Sequence, residues 1–344
     1  MTLFKLNKDL DFEPRLAESW TVNSDSTLLT LVLRDDIKWS DGEKTTAKDV
    51  EFTVRIATHP QVPYPASSRF DRIQSVQALN DTTVQVKLES WYPDLFFDLN
   101  IPVLPEHILA AIPAAQIAQS EFNTQPVGNG PYKLKEWKAN QHISFERNEY
   151  WPLKQPALSG IVFTILQDDM LLLSNLKNGH IHLAPHLNQT VFNQIKRIPS
   201  IRAVRSRSKS YSFIGWNCSQ DRFEQKIRLA LSRAINKKQI IDICLAGYAK
   251  PFRGPFLPES RYYNPELSGI PYNPNKAKQI LVDEGWQDSN GDGILEKNNR
   301  PFELVLTINA ASQLQKDIAT VIQSQLSQIR SGGFNTTTGN QRIS

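Results

Sequence analysis

Only two cysteines, Cys218 and Cys244, and two methionines occur in 344 residues. Two thiols without CxxC or zinc-finger spacing exclude a disulfide scaffold and leave both reducing and oxidising compartments open. Long apolar runs are missing too, and none approaches the roughly 18 residues of a membrane span. Neither charge sign dominates: 39 basic and 35 acidic residues leave a net charge of +4. The two signs are interleaved except in IRAVRSRSKS, where Arg202, Arg205, Arg207 and Lys209 stand together. No nucleic-acid motif accompanies that cluster, so it reads as a solvated surface and nucleic acid is not an expected partner. The opening MTLFKLNKDLDFEPRLAESW has no apolar h-region and no small-residue cleavage site, and does not read as a signal peptide. HExxH, GxSxG and paired-carboxylate patterns are likewise missing.

What is present is an ordinary globular balance, 40% apolar and 22% charged, over a length that fits about two domains. The first part reads as antiparallel sheet. AESWTV and TLLTLVLR flank the polar turn NSDS; Ile73 to Glu89 turns at Asn80-Asp81, with Val84, Val86 and Leu88 alternating; Gly130 to Asn148 forms a third hairpin. Between them, Thr46 followed by Asp49 predicts a helix start ahead of Val50, Phe52, Val54 and Ile56. After Trp151 the texture turns α/β. Strands are expected at Gly160 to Leu166 and Ser210 to Trp216, and a helix at Met170 to Asn178. Helices are also expected in Arg222 to Gly247 (two in succession), from Pro274 to Gly285, and from Gln313 to Ile329. No internal repeat occurs, and periodicity ends in RSGGFNTTTGNQRIS.

DSNGDGILEKNN (Asp288 to Asn299) places Asp288, Asn290 and Asp292 at alternate positions before Gly293, as a calcium loop does. The twelfth position, however, holds Asn299 where a bidentate glutamate belongs. Asn-Gly and Asp-Gly are strong turn formers, so the run reads as a connection and not as a metal site.

Taken in order, LAESW, LRDDIKWSDGEKTTAKDVEFT, PVGNGPYKLKEW, FERNEYW, IRLALSRAINKKQII and YNPNKAKQILVDEGW resemble the family 5 solute-binding proteins, the peptide and nickel receptors of ABC importers. The resemblance runs from about residue 10 to residue 329. It implies a mixed α/β fold of the periplasmic-binding-protein type II kind, a two-lobed Venus flytrap with an extra β-rich domain. It further implies no catalysis, no cofactor, a small peptide or similar solute as cargo, a permease of an ABC importer as partner, a monomeric state and a periplasmic or otherwise extracytoplasmic location. In family terms, residues 1–124 correspond to the extra β-rich domain, 125–210 to part of lobe one and 211–329 to the first part of lobe two. The family pattern also implies truncation at both ends, with 330–344 a disordered or frameshifted tail, and so admits a non-functional remnant as one reading.

The same resemblance supplies the candidate site. YSFIGWN looks like the strand crossing between lobes, and alternation puts Tyr211, Phe213, Gly215 and Asn217 on one face. Large aromatics are usually buried, so Phe213 and Trp216 have a competing reading as core residues. Tyr64 matches the region from which the β-rich domain offers an aromatic, and His186 falls near the family's ligand-facing loop. His180, His182 and His186 in NGHIHLAPH open a second reading, a metal or metal-chelate cargo, because neutral imidazoles bind nickel, copper and zinc. A metal-dependent hydrolase using these histidines with Glu149 or Asp168 is the rival from another class.

Overall fold

Alternating leucines dictate the first sheet. The computed structural model describes residues 1–166, 168–185, 187–206, 208, 210–258, 260, 262–329 and 334–338. After the short pair β1 (Phe4–Leu6) and β2 (Phe12–Pro14), strands β3 (Ala17–Val22) and β4 (Leu28–Leu33) form the first expected hairpin. Helix α1 (Ala47–Ala57) follows, then the hairpin β5 (Ile73–Ala78) and β6 (Thr83–Leu88). The antiparallel order is β3-β4-β6-β5, with Leu29 opposite Val86 and Leu31 opposite Val84. These side chains bury one face of the sheet together with Phe4, Trp39, Leu95 and Leu99. Period-two alternation thus determines which face is wet. The short helices α2 (Leu95–Leu99), α3 (Glu106–Leu109) and α4 (Ala114–Ile117) close this part, Leu109 and Ile117 packing with Phe52 and Ile56 of α1.

The tight turn before α1 depends on Gly42, whose φ is +98° and whose N–H donates to the Trp39 carbonyl at 2.9 Å. A Cβ added there would meet Tyr150 Cζ at 3.1 Å as well as occupying a disfavoured backbone region. Gly42→Ala is therefore expected to cost about 1–3 kcal/mol, read as a lower urea midpoint at unchanged slope.

The third hairpin, β7 (Tyr132–Lys138) and β8 (His142–Arg147), is joined by β9 (Gly160–Thr164) in an antiparallel three-stranded sheet. β9 is shorter than the expected strand, ending at Thr164. Contacts divide the chain inside α5 (Asp169–Lys177), between Leu171 and Leu172, so residues 125–171 join 1–124 in one unit.

The second unit contains α6 (Gln189–Ile195), α7 (Gln225–Ala234), α8 (Lys237–Leu245) and α9 (Pro274–Asp283), then the strand pair β10 (Glu296–Lys297) and β11 (Arg300–Pro301). Strand β12 (Leu304–Ile308), helix α10 (Gln313–Ser327) and strand β13 (Phe334–Thr338) complete it. Side-chain oxygens start four helices: Asn188 accepts from Val191 N, Asn236 from Gln239 N, Asn273 from Lys276 N and Ser312 from Gln315 N. Pro274 occupies the first turn of α9, and Gly285 beyond its end has φ +84°. The core joins Ile227, Ala230, Leu231 and Ala234 of α7 to Ala277 and Leu281 of α9, to Phe302 and Leu304, and to Ile322 and Leu326 of α10. Gln325, buried on α10, accepts from Asn236 N at 3.0 Å and donates to Gln239 Oε1 at 2.7 Å, tying α10 to the start of α8.

Two expectations differ from the structure. Residues 211–217 are extended in sequence character but pair with no strand among the described residues; alternation reports which side chains face the core, not whether a neighbouring strand exists. In the stretch read as a structureless tail, Phe334–Thr338 pairs in parallel with β12, Leu304 opposite Phe334. Its threonines are β-branched and suit a strand, although the run shows no apolar alternation.

Candidate functional site

The extended segment from Tyr211 to Asn217 keeps its predicted alternation without a sheet. Ile214 and Trp216 turn inward onto the α7–α10 core, Trp216 lying 5.6 Å from Phe223 between ring centroids. Phe213 points away from that core and is 78% exposed, so the competing assignment as a core residue holds in part for Trp216 and fails for Phe213. Tyr211 stacks on Phe252 with centroids 4.6 Å apart and planes 13° apart, and lies 5.8 Å from Phe213. The result is a ridge of three aromatic rings, two of them exposed and Phe252 half-buried. Exposed contiguous aromatic surface is characteristic of binding sites.

The other candidates take quieter positions. A Cβ added at Gly215 would make only an ordinary 3.7 Å contact with Phe213, so no close packing demands glycine there. Asn217 accepts from Ser219 N at 3.2 Å and Ser219 Oγ at 2.6 Å, which commits its carbonyl to a local turn. Tyr64, in the first unit, is half-buried with Val54, Ala57, Phe70 and Ile101. His186 lies outside the described residues. His180 and His182 are exposed in the turn after α5 and not in the strand their spacing suggested; the His180 N–H donates to the Asn175 carbonyl at 2.9 Å. Among the described residues no group of three His, Cys, Asp or Glu side chains is placed to hold a metal ion.

The hydrolase candidates have structural partners. Glu149 is exposed and ion-paired to Lys133 at 2.8 Å, and the hydrogen bond from Lys133 holds its carboxyl below the ordinary range. It stays ionised at neutral pH and is unsuited to act as a general acid. Asp168 Oδ1 accepts from Met170 N at 2.5 Å and from Leu171 N at 3.3 Å, at the start of α5. In the calcium-like loop the oxygens face inward to the backbone. Asp288 accepts from Gly291 N at 2.7 Å and Gly293 N at 3.0 Å, and Asp292 from Ile294 N at 2.7 Å. Asn298 and Asn299, with φ +54° and +57°, form the two-residue turn between β10 and β11, which accounts for asparagine where calcium would need glutamate.

Sequence reasoning missed Phe252, which the Tyr211 stack brings into the ridge. Its signal was weak: one aromatic in the proline-rich AKPFRGPF, with no periodicity around it.

Comparison with solved structures gives the class. The chain superposes on the oligopeptide-binding protein AppA from Bacillus subtilis, solved with a nonapeptide, with a TM-score of 0.85 at 30% identity, covering 98% of this chain and 68% of that one. It superposes equally on NikZ from Campylobacter jejuni, solved with Ni(L-His), at a TM-score of 0.86 and 28% identity, covering 99% and 68%. The fold is the mixed α/β type II fold of periplasmic solute-binding proteins. The model for bacterial extracellular solute-binding proteins, family 5, matches residues 11–337, and the chain belongs to that family. Among curated relatives, the Bacillus subtilis oligopeptide-binding protein AppA is 32% identical over 336 residues, 95% of this chain and 61% of the relative. The nickel-binding periplasmic protein of Escherichia coli is 31% identical over 341 residues, 95% and 63%. The chain thus spans about three fifths of the length of these relatives.

Proposed function

We propose that this chain is part of an extracytoplasmic receptor that binds oligopeptides or a similar small solute and presents it to the permease of an ABC importer, without covalent chemistry. The observation that carries the reading is the ridge of exposed Tyr211 and Phe213 with half-buried Phe252, its segment anchored by the partly buried Ile214 and Trp216. Rings pre-positioned in this way offer apolar contact area at little entropic cost to the protein. Tyr64, His186, Gly215 and Asn217 remain part of the proposed ligand-binding set, and residues 1–124, 125–210 and 211–329 are proposed as the β-rich domain, lobe-one portion and first lobe-two portion. Transport signalling in such a receptor would rest on the ligand shifting the population of a closed state.

The test is a melting-temperature series with defined peptide pools, followed by mass spectrometry of the recovered peptides. Stabilisation with intact peptides is expected, because a ligand that binds only the folded state raises its stability by mass action; cleavage of the pool would overturn the reading. Phe213→Ala is expected to leave the ligand-free stability within about 0.5 kcal/mol, since the ring is exposed. The same substitution should weaken peptide binding about tenfold; unchanged affinity would remove Phe213 from the site.

A second reading, a metal-chelate cargo, is favoured by the nickel-binding relative and by the Ni(L-His) complex of the Campylobacter jejuni protein. In the same melting series, a shift with the nickel–histidine chelate and none with peptides would select it.

A further inference from the structure

Arg205 belongs to the basic run that the sequence presents as a solvated surface, yet it is held. Its guanidinium lies 3.4 Å from the ring centroid of Tyr248 and 4.8 Å from that of Phe192 on α6. Contacts with two rings restrict a side chain that ordinarily samples many rotamers, and a guanidinium stacked on aromatics keeps its in-plane N–H donors turned outward. Among the described residues no carboxylate pairs with Arg205, although it is exposed and the chain carries acids elsewhere in plenty. The Tyr248 hydroxyl is pulled below the ordinary phenol range by its hydrogen bond from Arg205. A guanidinium held against two rings, with no carboxylate partner among the described residues, is a receptor for a planar oxyanion. Carboxylates match its fork with two parallel hydrogen bonds.

We propose that Arg205, clamped by Phe192 and Tyr248, anchors a carboxylate of the bound cargo. This rests on the peptide-receptor reading and deepens it by naming a specificity determinant. Two sources supply the same chemistry, a peptide's C-terminal carboxylate and an acidic side chain. Tyr248 is a positioning residue here: it holds the guanidinium plane.

The experiment is calorimetric titration of the full chain with three probes: the tripeptide Ala-Phe-Ala, its C-terminal amide, and the C-terminal amide of Ala-Asp-Ala. A charge-assisted bidentate contact should make a carboxylate-bearing probe bind about 10–100-fold tighter than the carboxylate-free amide. The preference should diminish at high salt. Tight binding of Ala-Phe-Ala alone assigns the terminal carboxylate, and tight binding of the Ala-Asp-Ala amide alone assigns an acidic side chain; either supports the proposal. Arg205→Gln should bring the carboxylate-bearing probes down to the level of the simple amide measured on the same variant, and Arg205→Lys should fall between. Equal binding of all three probes, or a preference that survives in Arg205→Gln, overturns the proposal and leaves the receptor reading standing. Failure of all three probes to bind overturns both.

Discussion

Phe302→Ala is expected to destabilise the unit formed by residues 172–344 by about 3–5 kcal/mol. The ring is 0% exposed and lies in the cluster that joins α7, α9, β12 and α10. Its centroid is 4.5 Å from that of Trp286, and its own N–H donates to the Leu295 carbonyl at 2.7 Å. The backbone bond fixes Phe302 just before β12, so the chain cannot slide to fill the space that alanine leaves. Neighbours from four elements would lose contacts at once, and the cavity term adds to the lost transfer energy. Phe302→Leu keeps most of the volume and is expected to cost under about 1.5 kcal/mol. Hydrogen exchange gives the spatial readout: amides of α9 and α10 should lose protection in the alanine variant, with a smaller loss in the leucine variant. Equal loss in the two would mean that the ring's shape, and not the void, is what the core requires.

Phe302 also illustrates how far the sequence could be read. The helices around it were legible because their cues are local: Ile227, Ala230, Leu231 and Ala234 recur at helical spacing, Asn273 precedes Pro274, and Gly285 follows the last turn. The hairpins were legible for the same reason, as the register of Val22 against Leu29 and of Ala78 against Val84 follows from alternation and a short turn. Pairing between distant segments was not. The run from Tyr211 to Asn217 has the face pattern of a strand, yet partner strands are chosen by tertiary packing, to which a period of two is blind. The ridge was half legible: Tyr211 and Phe213 follow from alternation, whereas Phe252 reaches them across a long separation in sequence. Arg205 is exposed, as the basic cluster suggests, but the contacts of Phe192 and Tyr248 with its guanidinium join segments whose pairing leaves no local mark in the sequence. In the calcium-like loop the single discordant residue, Asn299, carried the information, and its left-handed backbone gives the reason.

Asp49→Ala is expected to cost the first unit about 3–4 kcal/mol, through a cap and not through a cavity. Asp49 is 3% exposed. One carboxylate oxygen accepts from Thr46 N at 2.7 Å and Trp39 Nε1 at 3.3 Å, and the other from Glu106 N at 2.8 Å. It therefore starts α1, holds the indole of the buried Trp39 and fastens the start of α3. Alanine would strand three donors, each costing more unsatisfied than the bond itself contributes. Asp49→Asn retains one acceptor oxygen but turns an NH₂ toward a donor, so it should recover only part of the loss. Acidification separates the causes. Burial raises the Asp49 carboxyl above its ordinary value; hydrogen bonds from Thr46, Glu106 and Trp39 and the nearby His107 oppose the shift without cancelling it. The folded state then holds the proton more tightly than the unfolded chain, so Asp49 contributes stability that falls as pH rises from the unfolded value through the folded one. Neighbouring Asp41 behaves oppositely. Burial works against its ionisation, but the hydrogen bonds from His107 Nε2, at 2.8 Å, and from Glu43 N outweigh it, so its contribution is lost as pH falls. Asp49→Asn leaves the Asp41 pair in place and removes only the first effect. The stability gap between the parent and Asp49→Asn, measured by urea unfolding, should therefore widen as pH falls from neutral into the carboxylate range. A gap that narrows would mean that the three hydrogen bonds to the ionised form outweigh its burial, and that α1 is held by a carboxylate that must stay charged.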